Sequence, residues 1–352
     1  MSREQQAIER VALLYYQDNL TQEEIAARLS TSRSRVVRLL QEARRRGIVQ
    51  VRVVTSATST IELERRLEAR FDLRAVRIAA SGHTHAETLA AVGVEAANWI
   101  VDVLKPGDTM VLSSGRSIGA LVEGMPALSL PAATLVEMQG VVGLPSALPA
   151  FGTDYLVARL AQKLGAQYRM LPVPRHLSSA SLVSAVLSDE RIRSTLELAR
   201  RADFVVVGIG GIDPPSPTLP PVTPEALAAL RARGAVGEIS AQFFDADGRP
   251  CPSELDERLV GLKLAEMIGI PVRAAIAFGL EKVSALAAAL AGRLANVLVT
   301  DTDTAIALLG SGWVDIPRSS PAVAAHATRR RTRTPNRPLL RASEGRSLAG
   351  PP

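Results

Sequence analysis

Cysteine is nearly absent: the 352-residue chain has one, Cys251. No intrachain disulfide can form, and with no basic partner motif beside it Cys251 reads as an inert, half-buried thiol. Long apolar runs are missing too. None approaches the roughly 18 residues that a spanning helix needs, and the opening "MSREQQAIER" is polar and charged, unlike a secretory signal. These absences set membrane partners aside and predict a cytoplasmic protein. Histidine is scarce, with four residues, His83, His85, His176 and His326. His83-Thr84-His85 is closely spaced, but no third ligand lies nearby in sequence, so no metal site is expected.

What the chain does have is length for a large core and two domains, with 47% hydrophobic residues. The net charge of +6 is unevenly spread. Residues 1–54 hold 10 Lys/Arg against 6 Asp/Glu, and residues 318–352 hold 8 against 1. Between them, residues 55–317 hold 23 against 28. Two basic ends on a mildly acidic body suggest a polyanion-binding segment joined to a body with other work.

The first basic segment has a pattern. Ile8, Val11, Ala12, Tyr15 and Tyr16 fall at helical spacing. Thr21 followed by Glu24 is a capping-box signature for a second helix over 21–29, burying Ile25, Ala26 and Leu29. "STS" (30–32) is a short polar turn, and Thr31 or Ser32 caps a third helix. There Val36, Leu39, Leu40 and Ala43 form the inward stripe, while Arg33, Ser34, Arg35, Val37, Arg38 and Gln41 face out. Gly47 ends the helix and "IVQVRV" (48–53) alternates like a strand or wing. Two short helices with a tight turn make a helix-turn-helix. Arg33, Ser34 and Arg35 can then reach base edges or phosphates, and Arg38 with Arg44–Arg46 grips phosphate. A solvated basic helix is the competing account; cap, turn, stripe and basic face together favour DNA.

"TQEEIAARLSTSRSRVVRLLQEARRRGIVQVRV" resembles the DNA-binding domain of SorC-type bacterial transcription regulators. The resemblance rests on Gln22, Ile25, Ala26 and Leu29; on Ser32, Arg33, Val36, Arg38, Leu39 and Leu40; and on Ala43, Gly47, Ile48 and Val49. Ser30 stands where a glycine is common. The DNA-facing set is then Thr21, Gln22, Ser32, Arg33, Ser34, Arg35, Val37 and Arg38.

Beyond an amphipathic helical linker (58–71), strands and helices alternate. Apolar strand-like runs fall at 73–79, 109–113, 134–138, 168–171, 204–208, 272–278 and 297–300. Helical patterns fall at 84–103, 117–124, 153–164, 189–201, 256–268, 281–291 and 302–309. The fold class is α/β, an open, largely parallel sheet with helices on both faces. Ligands of such sheets sit outside the carboxyl ends of the strands, so the strand-to-helix turns are the places to look.

Four turns stand out. In "LSSGRS" small residues let backbone N–H groups close on an anion at a helix N-terminus, and Arg116 adds a fork suited to phosphate. "VVVGIGGIDPPSP" has Gly208 and Gly210 but a Pro-rich continuation, which excludes a dinucleotide fingerprint; a glycine loop close to a small ligand remains open. "GAVGEISAQFFDADGRP" offers Glu238 and Asp245 to sugar hydroxyls, with solvated turn acids as the alternative. In "AFGLEKVSAL", Lys282 sits in the first turn of a helix, where a cation opposes the dipole unless an anionic ligand shares the site. A snorkelling surface lysine is the other account.

These segments also resemble the effector domain of SorC-type regulators, from about Ile61 to Leu309. The resemblance implies a Rossmann-like sheet of the kind shared by ribose-5-phosphate isomerase, glucosamine-6-phosphate deaminase and CoA transferases. It implies a sugar effector, usually phosphorylated. Ser114, Gly115, Arg116 and Ser117 would hold phosphate, and Gln139 and Glu238 hydroxyls. Lys282 would stand near the phosphate or carbonyl end.

The fold's enzymes raise the alternative of a sugar-phosphate isomerase or deaminase with an accessory DNA-binding domain. A deaminase commonly carries a histidine after the glycine loop; here "IDPP" follows Gly211. Glu238 as a base or Lys282 as an imine former makes no full catalytic set. The expectation is a regulator, with no catalytic residues and no cofactor, binding double-stranded operator DNA as a homodimer or homotetramer. Its expected domains are a helix-turn-helix at 1–54, a helical linker at 55–72, an effector and oligomerisation domain at 73–317, and a disordered basic tail at 318–352.

Overall fold

The computed structural model describes residues 3–49, 59–141, 152–216, 219 and 222–310. The strand or wing expected over 48–53 lies mostly outside these residues, and the basic tail wholly so.

Three helices open the chain: α1 (Arg3–Tyr16), α2 (Gln22–Arg28) and α3 (Arg33–Arg45). Thr21 caps α2 in a full capping box with Glu24, as the spacing predicts, and Ser32 caps α3. Val11, Leu14, Ile25, Ala26, Val36 and Leu40 close one small core. The turn between α2 and α3 places Ser30 at φ 45°, a left-handed conformation. A non-glycine residue there gives up about 1 kcal/mol, so the motif tolerates the missing glycine.

The next elements are α4 (Thr60–Phe71), β1 (Ala75–Ala79), α5 (His85–Val103), β2 (Thr109–Leu112), α6 (Arg116–Gly124), β3 (Thr134–Glu137) and α7 (Thr153–Leu164). Then come β4 (Gln167–Arg169), α8 (Ala180–Leu187), α9 (Glu190–Arg200), β5 (Phe204–Val207), β6 (Gly210–Gly211), α10 (Pro224–Ala232), β7 (Ala235–Ile239) and β8 (Gln242–Asp245). The last are α11 (Glu254–Arg258), α12 (Leu264–Met267), β9 (Val272–Ile276), α13 (Val283–Ala291), β10 (Val297–Asp301) and α14 (Thr302–Gly310). All seven expected apolar runs are strands of one sheet, ordered β1-β10-β9-β5-β2-β3-β4, and every pairing in it is parallel.

The strands read as continuous apolar runs because both faces are covered. Val111, Val205, Val207 and Ala275 meet α4, α13 and α14 on one side. Met110, Leu112, Phe204, Val206 and Ile276 meet α5, α6 and α7 on the other. Helix α4 is fastened to this body: Leu63, Leu67 and Phe71 enter the first core. Its acids also cover the open edge of β1. Glu68 Oε1 accepts from Val76 N at 3.0 Å and Glu64 Oε1 from Ile78 N at 3.0 Å. These carboxylates occupy donors that an edge strand otherwise leaves to any passing chain.

Three expectations need correction. "GAVGEISAQFFDADG" is not a strand-to-helix turn but the antiparallel hairpin β7–β8, to which β6 adds as a third strand. The helix expected over 256–268 is broken into α11 and α12, because residues 259–261 run extended and bridge to His176 and Gln139. Helices α8 and α10 were not expected at all.

Candidate functional site

The sheet order reverses beside β2: β3 and β4 lie on one side of it, β5 and β9 on the other. At such a switch point the loops leaving neighbouring strands part and open a crevice. Here the loops after β2, β5 and β9 enclose a cavity of about 110 Å³. One water needs roughly 10–15 Å³ measured this way, so there is room for a small ligand.

Each wall follows from its local sequence. After β2 the chain turns through Ser113 and Ser114 to Gly115, whose φ of 126° no L side chain adopts readily. That glycine is the N-cap of α6 and adds no side-chain cap to the helix's first N–H groups, and Gly115, Arg116 and Ser117 together line the cavity. Ser113 is buried and accepts a hydrogen bond from Gly208 N at 3.3 Å, tying the β2 loop to the β5 loop. Gly208 to Gly211, Pro214, Pro215 and Ser216 form the second wall. After β9, Phe278 and Gly279 (φ 112°) lead into a short 3-10 turn, Leu280–Lys282, that presents Glu281 and Lys282.

The hairpin supplies the floor. Its two-residue loop, Ser240-Ala241, holds both residues at positive φ, 55° and 63°. Such a turn fits the twist of a hairpin but normally uses Asn-Gly. Here Glu238 compensates: its Oε2 accepts from Ala241 N at 2.7 Å. The same side chain, 5% exposed, lines the cavity along with Ser240. One carboxyl thus braces a strained turn and faces the ligand space.

The electrostatics are lopsided. Burial raises the Glu238 carboxyl above its ordinary value and favours its neutral form; the Ala241 N–H, Arg175 and Lys282 pull the other way. Burial, then the Arg116 charge, lowers the Lys282 amine, against the raising pull of Glu281 and Glu238. Burial thus pushes both groups toward their neutral forms, and Arg116 with the α6 N-terminus leaves the cavity receptive to an anion.

Of the expected effector residues, Ser114, Gly115, Arg116, Ser117, Gly208, Gly210, Glu238 and Lys282 all line this one cavity. Gln139 does not; it sits behind the wall, its Nε2 donating to Ser114 Oγ at 3.4 Å. Asp245 does not either. It lies at the far end of the hairpin, accepting from Asp247 N and Arg249 N at 3.0 and 2.8 Å, so its role is to shape the "DADG" turn. His85, which the sequence pattern does not single out as an effector residue, lines the cavity and packs on the Phe278 ring, 4.8 Å between centroids. The available signal was the Thr84–Glu87 capping box, which puts His85 at the first position of α5.

Helix α3 forms a second surface. Arg33, Ser34, Arg35 and Arg38 are exposed and Val37 is half-buried. Arg33 pairs with Glu23 at 3.0 Å, and Arg44 donates to Tyr16 OH at 2.7 Å. Arg45 and Arg46 both pair with Glu42, and these two hydrogen-bonded arginines hold the Glu42 carboxyl at about 2. Among the described residues no hydrogen bond or ion pair engages the side chain of Arg35 or Arg38; the Arg35 backbone N–H donates to the Ser32 cap at 3.3 Å. No group of His, Cys, Asp and Glu among the described residues could hold a metal ion, and none of the described helices is long and apolar enough to cross a membrane.

The Sugar-bind family model, a sugar-binding domain, matches residues 55–310. The chain is 30% identical over 314 residues to the transcriptional regulator LsrR of Escherichia coli K12, across 88% of this chain and 96% of that protein. It is 31% identical over 312 residues to the transcriptional regulator LsrR of Enterobacter sp. strain 638, across 87% and 93%. The full-length sorbitol operon regulator SorC of Klebsiella pneumoniae superposes with a TM-score of 0.66 at 27% identity, covering 88% of this chain and all of that one.

Proposed function

The chain belongs to the Sugar-bind family of SorC-type transcriptional regulators, and from that premise we propose that a phosphorylated sugar in the switch-point cavity controls its grip on operator DNA. Its curated and solved relatives are regulators, which favours this reading over a sugar-phosphate isomerase or deaminase. The observation that carries the sugar-phosphate assignment is the convergence of Arg116, Lys282 and the α6 N-terminus on a cavity that also presents the hydroxyls of Ser216 and Ser240 and the Glu238 carboxyl. Phosphate would rest on Ser114 to Ser117, where backbone N–H groups and a guanidinium fork meet. Sugar hydroxyls would face Ser216, Glu238 and Ser240.

On the DNA side, α3 enters the major groove with Ser34 and Arg35 toward bases and Arg38 toward phosphate. Two copies of this element on a homodimer or homotetramer would read paired half-sites. A ligand shifts such an equilibrium only by its differential affinity for two arrangements. Helix α4 is the lever in this reading, because it joins the DNA-binding segment's side of the chain to the sheet edge.

The test is fluorescence anisotropy of the full chain on operator DNA, titrated with a panel of sugar phosphates, with thermal melting in parallel. At least one sugar phosphate should raise the melting temperature and change DNA affinity, while its unphosphorylated sugar does so more weakly. Phosphorylated and free sugars acting equally would remove the phosphate assignment.

A further inference from the structure

Lysine is rare in this chain. Of 41 basic residues only Lys105, Lys163, Lys263 and Lys282 are lysines, and one of these four lines the cavity. For holding phosphate, arginine is the better fork, and Arg116 already supplies it. What lysine offers and arginine does not is an amine that gives up its proton when desolvated and then adds to a carbonyl. The surroundings of Lys282 favour that loss. It is half-buried, its Nζ stands 6.0 Å from the centroid of the Phe278 ring, and Arg116 repels its charge. Lys163 shows the ordinary alternative: its ammonium is held by the carbonyls of Glu123 and Met125 at 2.7 and 3.1 Å.

A proton carrier is present in the same cavity. Glu238 is buried, one of its oxygens is fixed by Ala241 N, and the other lies against Gly210. A side chain at position 210 would take that space, so glycine there admits the carboxyl to the cavity wall.

We propose that the cavity captures the open-chain aldehyde of its sugar phosphate as a reversible imine on Lys282, with Glu238 relaying the protons. This rests on the sugar-phosphate reading above and adds a covalent step to it. The Nζ lone pair adds to the aldehyde carbon, and the carbonyl pair moves to oxygen, which takes the Glu238 proton. Glu238 recovers a proton from nitrogen and delivers it to the carbinolamine hydroxyl, which leaves as water. A second N–H proton returns to Glu238 as the C=N bond forms. Two N–H hydrogens and one carbonyl oxygen depart as one water, so no oxidant or reductant is required. The phosphate end stays on Arg116 and the α6 N-terminus. The regulator would therefore distinguish an aldose phosphate from the polyol phosphate of equal charge and size.

The full chain is incubated with aldose phosphates of three to six carbons, and separately with the matching polyol phosphates. Each sample is reduced with borohydride and read by intact-mass and peptide-mapping mass spectrometry. Thermal melting without reductant runs alongside. An adduct at Lys282 above the level at Lys105, Lys163 and Lys263 is expected with the aldoses, none with the polyols, and loss of it in Lys282→Arg. If that variant does not fold, the aldose–polyol contrast on the unmodified chain decides. Aldose phosphates that raise the melting temperature yet leave no Lys282 adduct overturn the covalent step and spare the sugar-phosphate reading. Equal labelling of all four lysines overturns it as non-specific glycation. Neither melting shift nor adduct across the panel removes both.

Discussion

Helix α3 and the cavity both gather positive charge toward an anion, but in opposite settings. On α3 the arginines are many and exposed, and several are already paired with Glu23 or Glu42. In the cavity the cations are few, half-buried and set against a carboxyl that burial drives toward neutrality. Exposed charge in water acts weakly per residue, adds up over many contacts and is screened by salt. Charge behind a protein wall acts strongly per residue and depends on geometry. A polymer of phosphates suits the first arrangement, and a single small phosphoester the second.

Single-residue loss should therefore hurt the cavity most. Arg116→Ala removes a charge-assisted hydrogen-bonding fork, and effector affinity should fall by about 2–3 kcal/mol, roughly 30- to 150-fold. DNA affinity without effector should hold. Isothermal titration and anisotropy on the same preparation check both, and equal damage to the two activities would break the comparison.

Burial of charge should also show in stability. Glu137, at the end of β3, is fully buried and its carboxyl is raised to about 7 by burial, against the pull of the Leu171 N–H. A raised carboxyl means the folded state holds a proton that the unfolded chain has already lost. Its contribution is present below the ordinary value of 4.5 and lost as pH rises through about 7. Glu137→Gln removes that slope while keeping an acceptor for Leu171 N. Between pH 5 and 8 the variant should lose less stability than the parent, by on the order of 2 kcal/mol. Parallel pH profiles in urea denaturation would refute the assignment of this carboxyl.

The sequence showed these two settings unequally. The parallel strands were legible because a sheet covered on both faces is apolar along every strand, as Val205, Val206 and Val207 illustrate. The helix-turn-helix was legible because caps and stripe are local. The hairpin β7–β8 was not: its turn uses Ser240-Ala241 at positive φ, stabilised by a contact from Glu238, so the usual Asn-Gly mark is missing. Seven of the eight expected cavity residues lie at the ends of parallel strands, which is a rule about topology; Glu238 reaches the cavity from within the hairpin instead. His85 and Asp245 were misplaced because which side chain reaches the cavity depends on packing between segments far apart in the chain. His85 meets Phe278 across nearly two hundred residues.

On the DNA side single losses should be smaller. Arg38 has no partner among the described residues, so Arg38→Ala removes a phosphate contact without freeing a carboxylate. Operator affinity should fall by about 1–2 kcal/mol, and the slope of log affinity against log salt should drop by about one. An unchanged slope would take Arg38 off the phosphate backbone.

The smallest effect should come from the opposite operation, releasing charge. Glu42 carries the pairings of both Arg45 and Arg46, so these arginines reach the end of α3 partly neutralised. Glu42→Gln keeps a side chain of the same shape and removes one negative charge from that end. If α3 works by summed, screened charge, the variant should bind any duplex a few-fold more tightly at low salt, steepen the salt slope by up to about two, and converge with the parent at high salt. Operator preference over random duplex should shrink, because phosphate contacts add affinity without reading sequence. A gain that survived high salt would mean that Glu42 had been positioning the helix, and geometry would then matter at α3 as much as it does in the cavity.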